Sequence, residues 1–304
     1  EGEQQRLLWT GYIPSFLKID DPVAASLLGS HLRGATGLYR VKATFSTALG
    51  LAEYAGLLTP FAIHYAVGPY SKRTKVLGLL TLPLLFYVIR LTDARLGVVC
   101  YLASFLLYSM LWALLRFRRK RGDLVSATIV YSYPTVAGLL LLAVSASHRL
   151  STMILGGGAQ EASNQARENQ LVMGVPRVLQ NPIGHGSGGA GDAMGYGAGQ
   201  FVTVDNYYLT LGLDLGVLGL TAFLALFLTG IGYAVRYGLA AATMDDDELL
   251  LLIPLASCLS AFLVEKSVFS QPDNHPLYFM MLGMIVALSY RVIQTMRKPG
   301  QDAP

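Results

Sequence analysis

Apolar residues in this chain come in runs of about twenty, separated by short polar stretches that carry most of the charge. A helix needs about 20 residues to cross ~30 Å of hydrocarbon. The runs predict seven such helices: residues 47–67, 75–91, 97–116, 125–146, 206–235, 249–268 and 276–294. The fifth run is longer than a bilayer requires, so its first turns are expected to stand outside. Pro134 and Pro254 fall inside the fourth and sixth runs, where kinks are expected. One interruption is unlike the others: residues 147–205 are polar and glycine-rich. The pattern predicts an all-α fold, a polytopic membrane helix bundle with one large extracytoplasmic loop containing short helices.

The expected organisation is an extracytoplasmic segment (1–46), a four-span region (47–146), the large loop (147–205), a three-span region (206–294) and a short tail (295–304). Glu1 opens the chain without a methionine or a signal peptide, and missing spans are expected before it. Composition agrees with a membrane class. Of 304 residues, 53% are hydrophobic and 14% charged, where a soluble domain carries about 25% charged. Cys100 and Cys258 both lie in apolar runs and read as small core residues, so no disulfide or metal framework is implied.

Basic residues alternate by side. Lys72, Arg73 and Lys75, the Arg116–Arg121 cluster, Arg236, Arg291, Arg297 and Lys298 fall on one side. Arg90, Arg95, Arg149, Arg167, Arg177 and Lys266 are dispersed on the other. The positive-inside rule puts the first set and the C-terminus in the cytoplasm and the large loop outside. The cytoplasmic clusters read as topology determinants beside anionic headgroups, not as a nucleic-acid site.

Cations at the outer boundary are the first candidates for chemistry. Arg95 lies in Thr92-Asp93-Ala94-Arg95, and Arg167 lies on an expected amphipathic helix running to about Leu179. Arg40 precedes the first span, and Arg177 lies further along the loop. A guanidinium stays ionised and offers a planar fork to phosphate oxygens; the plainer reading is snorkelling, or a pair with Asp93 or Glu168.

The run Gly184-His185-Gly186-Ser187-Gly188-Gly189-Ala190-Gly191 lacks the preceding strand of a nucleotide fold and the glycine spacing of a nucleophile elbow. It reads as a flexible or closely packed loop whose amides can approach a ligand, with His185 either a proton acceptor or incidental. At the loop's exit, Asp205 is expected to N-cap the fifth span. Asn206 and Tyr207 add hydrogen-bonding and stacking surface there. Gly212, Gly216 and Gly219 form a small-residue face, and Asp214 between them is an ionisable group within a span. His64, near the cytoplasmic end of the first span, reads as a packed or interfacial histidine, or as part of a proton relay.

In order, these elements resemble the O-antigen ligase/polymerase superfamily of bacterial inner-membrane glycosyltransferases. Thr44-Phe45-Ser46 leading into Leu51-Ala52-Glu53-Tyr54 resembles the stretch that opens a span. Thr92-Asp93-Ala94-Arg95 resembles the family's T-x-S-R element, with alanine where serine is usual. Arg167 followed by Asn181-Pro182-Ile183-Gly184-His185-Gly186 resembles the loop arginine and P-x-G-x-G. Asp205-Asn206-Tyr207-Tyr208-Leu209 and Asp214-Leu215-Gly216-Val217-Leu218-Gly219 resemble H/D-N-x-Y-L and E-x-G-x-x-G. Ligases that join O-antigen to lipid A core usually have histidine at the position of Asp205.

The resemblance implies transfer of a glycan from undecaprenyl diphosphate to a sugar hydroxyl at the periplasmic face, as in polysaccharide assembly, without metal or other cofactor. It assigns Arg95 and Arg167 to the departing diphosphate and Asp205, with His185 in reserve, to the attacking hydroxyl. Arg40, Arg177, Asn206, Tyr207 and Asp214 complete the substrate-binding group. Expected partners are the undecaprenyl-diphosphate-linked oligosaccharide, the lipid bilayer and chain-length regulators or other assembly proteins, with no nucleic acid. A ligase or protein O-oligosaccharyltransferase with the same donor is the near alternative; a lipid-linked sugar transporter is the distant one.

Overall fold

The computed structural model describes residues 40–45, 47–120, 122–133, 135, 161–196, 204–244, 246–267, 270 and 272–297. Among these, the regular structure is helical and no strand occurs. The helices are α1 (Ala48–Val67), α2 (Lys72–Leu91) and α3 (Arg95–Arg119), then a short apolar α4 (Leu124–Tyr133). The loop helix α5 (Glu161–Gln180) and a single turn, α6 (Ala190–Ala193), follow. The long α7 (Tyr207–Ala240), α8 (Leu252–Lys266) and α9 (His275–Arg297) complete the bundle.

Among the described residues, five helices are long and apolar enough to cross a bilayer: Lys72–Leu91, Gly97–Arg119, Tyr207–Thr243, Asp247–Lys266 and His275–Arg297. The expected count of seven is therefore supported only in part. Residues 47–67 do form a helix, one that falls outside that set and carries Glu53, Thr59, Pro60 and His64, all buried. The fourth expected span is described only as far as Tyr133 and residue 135. Pro254 falls in the first turn of α8, just after a 3-10 segment (Asp247–Leu251), where its missing N–H costs no α-helical hydrogen bond.

Burial sorts the helices by role. In α2 only Gly78, Leu85 and Ile89 are buried, while Leu77, Leu79, Leu80, Leu84 and Tyr87 are exposed, as on a lipid-facing helix. α8 is the opposite case, buried along most of its length. Its Phe262 stacks 3.9 Å from the Tyr278 ring and 4.8 Å from Phe227, joining α7, α8 and α9 in one apolar cluster with Leu57 of α1. Between α3 and α4, Asp123 accepts from Ser126 N at 3.1 Å and pairs with Arg116 at 2.7 Å. Those hydrogen bonds, Arg116 first, hold its carboxyl down at about 2. The contact thus contributes stability above an unfolded value of about 3.9, lost only as pH falls through 2.

α7 is broken near its start. Gly216 has φ 69 and ψ −172 inside an otherwise helical run, which leaves Leu213 and Asp214 carbonyls without their intrahelical donors. The glycine-rich loop supplies replacements. His185 N donates to Leu213 O at 2.8 Å, Gly186 N donates to Asp214 O at 2.9 Å, and Val217 N donates back to Pro182 O at 3.0 Å. A Cβ on Gly216 would collide with Pro182 O, and one on Gly184, at φ +91, with Asp214 O. The small-residue face expected at Gly212, Gly216 and Gly219 is thus divided: Gly212 admits Val178 of α5, and Gly216 makes the break.

Gly216→Ala is expected to undock this loop, because φ 69 with ψ −172 is a backbone region that essentially only glycine occupies, at a cost of about 1–3 kcal/mol for another residue, before the clash with Pro182 is counted. Limited proteolysis at residues 181–196 should become faster and the melting temperature in detergent should fall. An unchanged proteolysis rate would contradict the docking.

Candidate functional site

The two ends of the bundle differ in chemistry. α2 ends, α3, α7 and α9 begin, and α8 stops at one end. There Arg40 Nε donates to Thr92 O at 2.8 Å, Asn274 Nδ2 donates to Gly50 O at 2.9 Å, and the Lys266 ammonium lies 5.4 Å from the Tyr207 ring centre. The loop helix α5 packs on α7 at the same end through Val178, Leu209 and Leu213. This is the loop end.

Arg167 of α5 and Asp205 are brought together there: Nε donates to Oδ2 at 3.3 Å, and each side chain is 41% exposed. Asp205 does not cap α7 as expected. Asn206 is the cap, its Oδ1 accepting from Leu209 N at 3.1 Å. That leaves the Asp205 carboxylate out of the helix turn, while its backbone N donates to buried Gln170 of α5 at 3.0 Å. Two anchors on α5, three residues apart and so on one helix face, address the residue before the cap.

The other expected residues are distributed as follows. Arg95 opens α3; its side chain lies outside the described residues. The turn before it is well defined: Thr92 Oγ1 donates to Ile89 O at 2.7 Å and accepts from Ala94 N at 3.3 Å, and Asp93 takes φ 48. α3 starts at Ala94 without a side-chain cap. Arg40 is tied to that turn through the Thr92 carbonyl. His185 is exposed, with Nδ1 3.0 Å from Leu213 O; since a carbonyl only accepts, Nδ1 carries the proton and Nε2 is left as a base. Asp214 accepts from Ala190 N at 2.7 Å and Gly188 N at 3.1 Å, so its carboxylate holds the glycine-rich loop in place. Arg177 donates to the Ala193 carbonyl at the end of α6. The glycine-rich run is tethered by these hydrogen bonds, while His185–Gly188 stay exposed.

Beneath this rim lies a charge cluster that the apolar-run reading passes over. Lys266 Nζ and Glu53 Oε1 are 2.9 Å apart, and both side chains are 0% exposed. Glu265 is buried beside them and accepts from Tyr278 OH at 3.3 Å. His275, first residue of α9, sets its ring 4.7 Å from that of Tyr207, first residue of α7. Glu53 sits inside a run treated as a span, and Lys266 counts only as one more outward cation. The signal for them was present, because ionisable residues within apolar segments are costly to keep there. Their convergence, across more than 200 residues of chain, was not readable.

The family model described as O-antigen ligase matches residues 77–224. No curated protein and no solved structure matches the chain. The matched stretch runs from α2 through the loop into α7 and contains Arg95, Arg167, His185, Asp205 and Asp214; Glu53, Lys266 and His275 lie outside it.

Removing one member of a buried ion pair strands the other charge and costs about 3–5 kcal/mol. Lys266→Met is therefore expected to lower the yield of folded protein and its melting temperature sharply. The double variant Glu53→Leu/Lys266→Met should recover much of the loss. A single variant as stable as the parent would mean that the pair does not hold the loop end together.

Proposed function

We propose that this chain, which belongs over residues 77–224 to the O-antigen ligase/polymerase superfamily, transfers a glycan from undecaprenyl diphosphate to a sugar hydroxyl. It is a multi-pass membrane protein with a glycosyltransferase-type activity. The finer reading rests on one observation: an accessible carboxylate and an accessible guanidinium face each other at 3.3 Å on the loop end.

In the proposed step, the sugar–oxygen bond to the diphosphate breaks, and its electron pair leaves with the diphosphate. The acceptor hydroxyl oxygen forms the new bond, and its proton passes to Asp205. Charge accumulates on the departing phosphates, where Arg167 acts through its two terminal nitrogens and Arg95 joins it from the start of α3. The uncapped α3 N-terminus adds a positive end of a helix dipole on the same side. At 3.3 Å the resting Arg167–Asp205 bond is longer than the usual 2.7–3.2 Å. A diphosphate that draws Arg167 toward itself frees the carboxylate to serve as the base. His185, whose Nε2 is the unprotonated nitrogen, is the reserve acceptor.

Orientation follows from charge. Lys72, Arg73, Lys75, Arg116, Arg118, Arg119 and Lys120 lie at the end opposite Asp205. The positive-inside rule assigns that end to the cytoplasm of the bacterial inner membrane and the loop end to the periplasm.

The test is reconstitution of the full chain in proteoliposomes with a defined undecaprenyl-diphosphate oligosaccharide. Lengthened lipid-linked chains are expected for a polymerase, whereas transfer only to an added lipid or protein acceptor would convert the reading to a ligase. No transfer to any acceptor would overturn it. Arg167→Ala and Asp205→Asn should each lower turnover by about 10²-fold or more with normal membrane insertion. Full turnover in either variant removes that residue from the step.

A further inference from the structure

The opposite end of the bundle carries a second feature, separate from the Arg167–Asp205 site. A cavity of about 250 Å³ is lined by His64, Lys75, Tyr108, Trp112, Arg119, Leu250 and Ile253, among others. That volume is just below the ~300–1,000 Å³ of sites for drug-sized ligands. It has room for a small headgroup and none for an oligosaccharide.

Its polar lining is cationic and donor-rich. Lys75 projects from the first turn of α2, and Arg119 closes α3. Arg119 Nε donates to Ala242 O at 2.8 Å, which fixes the guanidinium and leaves its terminal nitrogens for another acceptor. Of the neighbouring carboxylates, Asp246 and Glu248 are engaged by Arg291 at 2.7 and 2.8 Å, and Asp247 is exposed to solvent. The remaining donor comes from a chain of three side chains, two of them buried. His64 Nδ1 is 2.9 Å from Tyr108 OH, and His64 Nε2 is 2.9 Å from Tyr70 OH.

A neutral imidazole has one N–H and one lone pair, so it donates to one phenol and accepts from the other. The phenol that accepts keeps its own O–H for a third group. Tyr108, 2% exposed, lines the cavity, so with the proton on Nδ1 its hydroxyl hydrogen is available there. A lysine ammonium, a fixed guanidinium and a buried hydroxyl donor then converge on a small space with the apolar wall of Trp112, Leu115 and Ile253.

We propose that this cavity binds a phosphate group, with Lys75 and Arg119 neutralising it and Tyr108 donating to one of its oxygens. The phosphate can belong to a lipid, whose chain would follow the apolar wall, or can be free.

Binding to the detergent-purified full chain, with the same detergent throughout, distinguishes these. Farnesyl phosphate, farnesol and inorganic phosphate are titrated separately and followed by Trp112 quenching and by the melting temperature. Saturable binding of farnesyl phosphate but not farnesol is expected, and binding of inorganic phosphate alone would identify a free anion as the ligand. Tyr108→Phe preserves the ring, and Lys75→Gln removes a charge from the half-buried rim. Each should weaken phosphate binding about tenfold or more, since one variant removes a hydrogen bond to a charged group and the other a positive charge. Equal binding of farnesol, no binding of any phosphate, or unchanged affinity in both folded variants would overturn the proposal. None of these outcomes depends on glycan transfer.

Discussion

Lys266 and Glu53 lie 2.9 Å apart with neither side chain exposed, and the arrangement of the loop end follows from that contact. A charge held in a low-dielectric interior costs several kcal/mol unless an opposite charge and hydrogen bonds meet it. The pair therefore forces α1 against α8. Asn274, reaching Gly50 O at 2.9 Å, brings in the start of α9, and the Tyr207 ring 5.4 Å from the ammonium brings in the start of α7. Close approach is possible because two residues of α1 have no side chain: a Cβ on Gly56 would come within 2.8 Å of Glu265 Oε1, and one on Gly50 would strike Asp273. α1 is sheltered inside because Glu53 and His64 take partners from other helices, Lys266 of α8 and Tyr108 of α3.

The same constraint governs the backbone. Within apolar surroundings a helix can be interrupted only where other groups take over its hydrogen bonds. Gly216 interrupts α7, and Pro182, His185 and Gly186 take over. Asp214, at the break itself, adds two amides of the loop to its carboxylate. Break and loop therefore specify each other, which explains why proline and glycines in the loop accompany glycine and aspartate in the helix. Docked in this way, the loop carries α5, and α5 carries Arg167 and Gln170 to Asp205.

Some helix positions were legible in the sequence to within a few residues, because length and hydropathy set them: residues 47–67 became Ala48–Val67, and 276–294 became His275–Arg297. What each helix faces was not legible. α1 and α2 have similar lengths and opposite burial, and the difference lies in which ionisable groups find partners elsewhere in the chain. The N-cap expectation failed for a related reason. Aspartate and asparagine cap about equally well, so Asp205 and Asn206 are locally interchangeable. Arg167 and Gln170, 38 and 35 residues earlier, decide between them. The glycine-rich run looked loose because nothing adjacent to it indicates Asp214.

The division of labour at Asp205–Asn206 bears directly on chemistry. A carboxylate that caps a helix has its oxygens turned to backbone amides and is restrained by them. With Asn206 in that role, Asp205 keeps a fixed backbone, through Gln170, and a side chain that pairs with Arg167 among the described residues. Buried charge and the α7 break anchor α1, α7, α8 and the docked loop, while the pair itself is half-exposed and joined by one long hydrogen bond. A fixed frame with one exchangeable contact is what an incoming anion requires: it can displace the carboxylate from Arg167 without rearranging a helix end, and the displaced carboxylate stays within reach.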